Sequence, residues 1–208
     1  MACVIMVVDL FLPEARRGII HMLGMLTVVF AAIITLRHDP MVEGQAVVTS
    51  FNDMFVQDQM ADTLKLFILA ITFVIFVYSR DYLRQRDIFK GEFYVLGLFG
   101  MLGMMVMVSA HSMLTIYLGL ELLSLSLYAM VAFNRDAHPC SEAAMKYFVL
   151  GALASGMLLY GMSILYGLTG TLDISAIATV LGQQEATAAL VFATTFIVVG
   201  LAFKLGAV

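Results

Sequence analysis

Four ionisable side chains fall inside or at the edges of long apolar runs: Glu121, Lys204, Lys146 and Lys65. In "IYLGLELLSLSLYAMVAF", residues 116–133, Glu121 is the one charge in a run of helical length. An ion near the centre of a bilayer costs roughly 2.5–3.5 kcal/mol even on the gentler insertion scale, so such residues face a bundle interior or a water-filled path. A carboxylate held there can take up and release protons. Helical spacing puts Ser124, Leu125 and Tyr128 on about the same side, where a hydroxyl can bond to the carboxylate or hold water beside it. The competing reading is a structural ion pair that locks two helices.

Lys204 is the natural counter-charge. It follows "LVFATTFIVVGLAF", 14 residues that are apolar or carry only a hydroxyl, and so lies deep in its own segment. Burial penalises both charges while their mutual attraction favours both, and a pair so balanced can exchange a proton at small free-energy cost. The alternative is a snorkelling lysine with its head at the interface. Lys146 is more ambiguous, because it lies four residues after Glu142 near the start of a segment, where a pair at the water boundary explains it as well as function does. Lys65 and Glu92, at segment edges, read as interface residues. His111, in the short connection "SAHSM", has a side chain suited to charge changes near neutral pH but also reads as a plain loop residue. His21, His38 and His138 read as loop or edge residues.

These groups must be positioned by membrane-spanning helices. The 208-residue chain is 62% hydrophobic and only 12% charged, with a mean hydropathy of +0.99, the composition of a polytopic membrane protein. A hydrocarbon core needs about 20 apolar residues per helical span, and helices satisfy their own backbone groups where lipid cannot. Hydrophobic segments appear at 1–12, 19–36, 64–79, 92–110, 113–133, 143–167 and 187–206. The expected fold is therefore all-α, with about seven transmembrane helices in one domain over 1–208. The first segment is too short to span and lacks a signal peptide's features, so it reads as the tail of a truncated helix. The run "FIVVGLAFKLGAV" shows no helix-stop signal, and the chain reads as a fragment of a longer subunit.

Orientation follows from Lys and Arg, which favour short cytoplasmic loops. Arg16 and Arg17, then Arg80, Arg84, Arg86 and Lys90, then Arg135 fall in alternate loops, while the other loops hold only Arg37. This places the N-terminus outside. Gly97, Gly100 and Gly103, and Gly151, Ser155 and Gly156, are spaced for close helix packing inside one bundle.

Other chemistries are disfavoured. The net charge of −4 and the lack of a basic cluster argue against nucleic acid. Cys3 and Cys140 form no metal-binding or redox spacing. The sequence has no dinucleotide fingerprint, no phosphate-binding loop and no pair of helical histidines suited to haem, so no cofactor or metal is expected here.

The combination LELLSL (120–125), EAAxKYF (142–148) and GLxFKL (200–205) resembles the antiporter-like membrane subunits of NADH:quinone oxidoreductase, respiratory complex I, a family that also includes the large subunits of multisubunit cation/proton antiporters. The resemblance is strong over about 109–208 and follows segment order throughout. It implies a longer bundle of two inverted repeats around broken helices, of which this chain would hold most of the first. It implies proton translocation in the inner membrane, with Glu121 and Lys204 as the central ionisable pair and Lys146 on the connected polar path. It also implies a multi-pass subunit with its N-terminus periplasmic, and other membrane-arm subunits, antiporter-like ones among them, as partners. NADH, FMN, Fe–S clusters and quinone would be bound by other subunits. A cation/proton antiporter subunit and a purely structural membrane anchor are the alternatives.

Overall fold

The computed structural model describes residues 1–12, 18–37, 47–86, 88–183, 185 and 187–207. Its helices are α1 (Ala2–Phe11), α2 (Gly18–Arg37), α3 (Gln59–Gln85), α4 (Glu92–Val108), α5 (Met113–Val131), α6 (His138–Thr169), α7 (Ile174–Leu181) and α8 (Ala188–Lys204). Four of them, α2, α3, α5 and α6, are long and apolar enough to cross a membrane, while α1, α4 and α8 are apolar but shorter. Hydrophobic run length locates these seven helices well.

Two elements carry no long apolar run and escape that reading. One is a hairpin of β1 (Val48–Ser50) and β2 (Phe55–Gln57), antiparallel with Thr49 opposite Val56. Its turn holds Phe51, Asn52 and Asp53 at positive φ, a conformation for which Asn and Asp are the natural non-glycine residues. The other is the short helix α7. Arg16, Arg17, His38, Asp39 and Glu43 lie outside the described residues.

Local signals set the helix ends. Asp58 accepts from Ala61 N at 2.6 Å to cap α3, and Asp173 accepts from Ala176 N at 2.7 Å to cap α7, satisfying donors that would otherwise be orphaned. Pro139 lies in the first turn of α6, and Gly170, at φ 70°, closes its other end. The end of α8 corrects the sequence reading. Gly206 adopts φ 71°, its N–H bonds to Phe203 O at 3.0 Å, and Ala207 N–H bonds to Ala202 O at 2.9 Å. This is a Schellman stop directly after Lys204, signalled by the glycine of "KLGA".

Helices α1 to α4 share an apolar cluster around fully buried Tyr94, Phe76 and Ile20. Helices α4 and α5 touch through Gly103 and Gly119, and α6 and α8 through Gly161 and Gly200; at each of these glycines an added Cβ would come within 3.0 Å of the facing helix's backbone. Gly103 fulfils the expected packing role, whereas Gly156 has nothing within 4 Å.

At the end of the bundle opposite the α5–α6 loop, backbone hydrogen bonds tie hairpin, turn and connection into one strap. Val56 N bonds to Ser109 O (2.8 Å), His111 N to Met54 O (3.0 Å), and Met113 N to Leu172 O (3.0 Å).

Candidate functional site

Helix α5 runs away from the strapped end and carries Glu121 in its middle, with Ser124 and Tyr128 one and two turns on. Helix α8 starts from the same end and stops at Lys204, whose side chain reaches back toward α5. Lys204 Nζ donates to Ser124 Oγ at 2.7 Å, to Glu121 Oε1 at 3.2 Å and to Tyr128 Oη at 3.2 Å. An ammonium group has three N–H donors, and each finds an oxygen here. From α6, Ser155 Oγ donates to Glu121 Oε1 at 2.5 Å. The lysine and glutamate side chains are 8% and 21% exposed, so the pair is desolvated. A buried ion pair repays that cost only when further hydrogen bonds satisfy both groups, and the hydroxyls of Ser124, Tyr128 and Ser155 supply them.

Local structure explains why the cluster can form. Lys204 occupies the last turn of α8, where the free carbonyls carry partial negative charge and favour a cation. Gly200, one turn earlier, lets α8 approach α6 closely, since a Cβ there would come within 2.9 Å of Ala154 O. Gly151 leaves room for the Tyr128 phenol, because an added Cβ would overlap Tyr128 Oη. The Tyr128 ring is held edge-on by Tyr147 (centroids 4.7 Å apart) and Phe148 (5.8 Å), and Lys204 Nζ lies 5.5 Å from its centre.

The structure thus brings together Glu121 and Lys204, 83 positions apart in sequence. Lys146 lies elsewhere: its Nζ bonds to Glu142 Oε1 at 2.6 Å, and the two side chains are 71% and 53% exposed, the boundary pair that the i, i+4 spacing suggested. Sequence reading placed Ser124 and Tyr128 beside Glu121 but did not connect Ser155 to it. The signal for Ser155 was a hydroxyl in a small-residue stretch, which reads as packing.

The other groups lie elsewhere. Lys65, in the second turn of α3, is 7% exposed and paired with Asp62 Oδ1 at 3.2 Å, beneath the Phe55 ring of the hairpin. His21 lies in the first turn of α2, at the edge as expected, and is buried there against Tyr94, ring centroids 5.0 Å apart. His111 pairs with Asp173, Nε2 to Oδ2 3.0 Å. Glu92 lies in the first turn of α4, 3.8 Å from Arg135. His138 is the first residue of α6, and Cys3 and Cys140 are free thiols.

A bundle of long apolar helices with a part-buried carboxylate–ammonium pair at the C-terminal end of α8 has the antiporter-like membrane fold. The sequence model described as NADH:quinone oxidoreductase/Mrp antiporter, TM, matches residues 110–208. The chain is 59% identical over its whole length to NADH-quinone oxidoreductase subunit N of Thioalkalivibrio sulfidiphilus, and 52% identical to that of Alkalilimnicola ehrlichii. It covers 43% and 42% of those relatives, and so spans less than half of their length.

Among solved structures, a chain of respiratory complex I from Thermus thermophilus superposes with a TM-score of 0.73 at 27% identity, covering 97% of this chain and 41% of that one. A chain of the Mrp complex from Dietzia shares the fold, with a TM-score of 0.71 at 18% identity, covering 97% of this chain and 39% of that one. Over its whole length the chain is similar to subunit N of complex I, and it shares the fold of the Mrp complex chain.

Proposed function

We propose that this chain forms the first half-channel of a proton-translocating membrane-arm subunit of NADH:quinone oxidoreductase, with Glu121 and Lys204 exchanging the proton. The observation that carries the reading is the Lys204–Glu121 contact at 3.2 Å inside a cage of hydroxyls. In the resting arrangement the lysine is protonated and fully bonded. A change in local field, driven by quinone reduction in other subunits, moves the proton from Nζ to the carboxylate and breaks the charge pair. Both neutral products keep hydrogen-bond partners in the surrounding hydroxyls, which keeps the step small in free energy.

In this reading α1 to α6 and α8 are seven spans, with the N-terminus periplasmic and the Arg135 loop cytoplasmic in the inner membrane. The chain corresponds to most of the first of two inverted repeats. Lys146 belongs to the polar path leading to the pair. NADH, FMN, Fe–S clusters and quinone bind to other subunits, and the partners are the other membrane-arm subunits. Identity of 52–59% over the whole chain to subunit N relatives favours this reading over a cation/proton antiporter subunit.

Replacing Glu121 by Gln in the full-length protein within its complex tests it: fewer protons pumped per NADH oxidised are expected, with the complex intact on native gels. Undiminished pumping overturns the proposal. Loss of assembly without any change in coupling would instead favour a structural anchor.

A further inference from the structure

We infer that Ser155 is a positioning residue for the proton transfer, with a hydroxyl that alternates between two acceptors: the Glu121 carboxylate while it is ionised, and the Gly151 carbonyl once Glu121 holds the proton. The inference rests on the proposed function and deepens it. Other helical serines and threonines in the chain show where such a hydroxyl ordinarily points. Those of Thr27, Thr72, Ser79, Ser124 and Ser126 each donate to the carbonyl four residues earlier on the same helix, at 2.6–2.8 Å, the usual local bond for these side chains. Ser155, buried in α6, departs from that pattern. In place of the Gly151 carbonyl its hydroxyl takes an acceptor on α5, donating to Glu121 Oε1 at 2.5 Å, the length of a charge-assisted bond to a carboxylate. Among the described residues, no other hydrogen bond joins α6 to Glu121.

The two serines beside the pair have opposite parts. Ser124 commits its hydrogen to Leu120 O at 2.7 Å and offers its oxygen to Lys204 Nζ at 2.7 Å, so it serves the cation. Ser155 offers its hydrogen and serves the anion. Each charge is held more closely by its serine than by its counter-charge, since Nζ and Oε1 are 3.2 Å apart. Lys204 and Ser155 also meet the same carboxylate oxygen. When Nζ passes its proton to Oε1, an N–H bond breaks and an O–H bond forms, and the new acid needs an acceptor of its own if the proton is to stay off the amine. Ser155 Oγ is within reach, but its own hydrogen lies on that line, and two hydrogens cannot share one O···O contact. Turning the hydroxyl to Gly151 O, the kind of acceptor its helical counterparts use, clears the line. The acid then donates to Oγ and Oγ donates to the backbone. No bond within the serine breaks, and the contact between α5 and α6 persists with its direction reversed.

Variants of the full-length subunit in its complex test the inference through protons pumped per NADH oxidised and redox-induced infrared difference spectra. Ser155→Ala removes the hydroxyl and little else, and its pumping is expected to fall to the level of Glu121→Gln, with the complex intact on native gels. Ser155→Thr keeps a hydroxyl able to use both acceptors and is expected to pump at the parental level. The carbonyl band of protonated Glu121 is identified by its absence in Glu121→Gln. In Ser155→Ala that band is expected at higher wavenumber, because the acid has lost its acceptor, and in Ser155→Thr at the parental position. A residue that only packed α6 against α5 would leave the band where it is. Parental pumping by Ser155→Ala beside a defective Glu121→Gln leaves the proposed function standing and overturns the switch. An unmoved band in Ser155→Ala overturns it too. If Glu121→Gln pumps normally, the function falls, and the band still decides whether Ser155 turns with Glu121.

Discussion

Around Tyr94 the helices α1 to α4 are spaced by aromatic rings, whereas α6 and α8 meet backbone to backbone at Gly161 and Gly200. Phe76 and Phe93 stand edge-on to Tyr94 at 5.2 and 5.4 Å, and Phe76 fills the notch over Gly97. Lipid tails are as apolar as these rings, so in a membrane such packing yields shape and dispersion contacts rather than hydrophobic drive. The α5–α6–α8 side has a different task. It must hold a carboxylate and an ammonium within hydrogen-bond reach, and hydroxyls can surround them only if the backbones come close. Rings give one side rigidity; missing side chains give the other its polar centre.

The largest expected effect comes from filling the closest backbone contact. Gly200→Leu would drive a branched side chain into Ala154 O and Leu158 on α6, separating α8 from α6 and removing Lys204 from the cluster. The full-length variant is expected to be absent from assembled complex on native gels. Gly156→Leu, in the same stretch of α6 but with nothing within 4 Å, is expected to assemble as the parent does. Equal assembly of the two variants would mean that backbone approach is not what this side of the bundle depends on.

A step smaller is Lys204→Met, which keeps side-chain volume and leaves Glu121 without its counter-charge. Breaking a buried pair by removing one partner costs about 3–5 kcal/mol, while replacing both partners by apolar or neutral groups costs far less. Lys204→Met is therefore expected to lower the unfolding midpoint of the purified complex more than the double variant Glu121→Gln/Lys204→Met does. All variants lacking either charge are expected to lose pumping. A double-mutant cycle measures the coupling. Additive effects on stability would remove the claim that the two charges support each other.

Legibility divided along the same lines. Apolar run length located every helix that reads as a span, because burying a backbone in lipid demands such runs. Glu121 and Lys204 stood out because a charge is costly at depth, and three hydrogen-bond acceptors explain how Lys204 is tolerated. Ser155 did not stand out: a buried serine costs little and looks like any small packing residue. The hairpin and α7 were missed because their order comes from backbone bonds to distant turns, such as Val56 N to Ser109 O and Ile174 N to His111 O. Lys65 read as a segment-edge residue, and its burial with Asp62 under the Phe55 ring depends on the hairpin that run length could not locate. The stop at Gly206 was in the sequence, but an apolar run on both sides of Lys204 obscured it.

The aromatic side should respond in the opposite manner. Phe76→Leu removes ring atoms from between Gly97 and Tyr94 and leaves a void that the rigid neighbours cannot fully close, at an expected cost of about 1–3 kcal/mol. The substitution lies outside the Glu121–Lys204 cluster and leaves its hydrogen bonds in place. The complex is thus expected to unfold at a lower temperature while the number of protons pumped per NADH oxidised stays at the parental value. A loss of coupling in Phe76→Leu without loss of stability would break the division of labour between the two sides, because the ring packing around Tyr94 would then be transmitting force to the polar centre rather than holding its own helices apart.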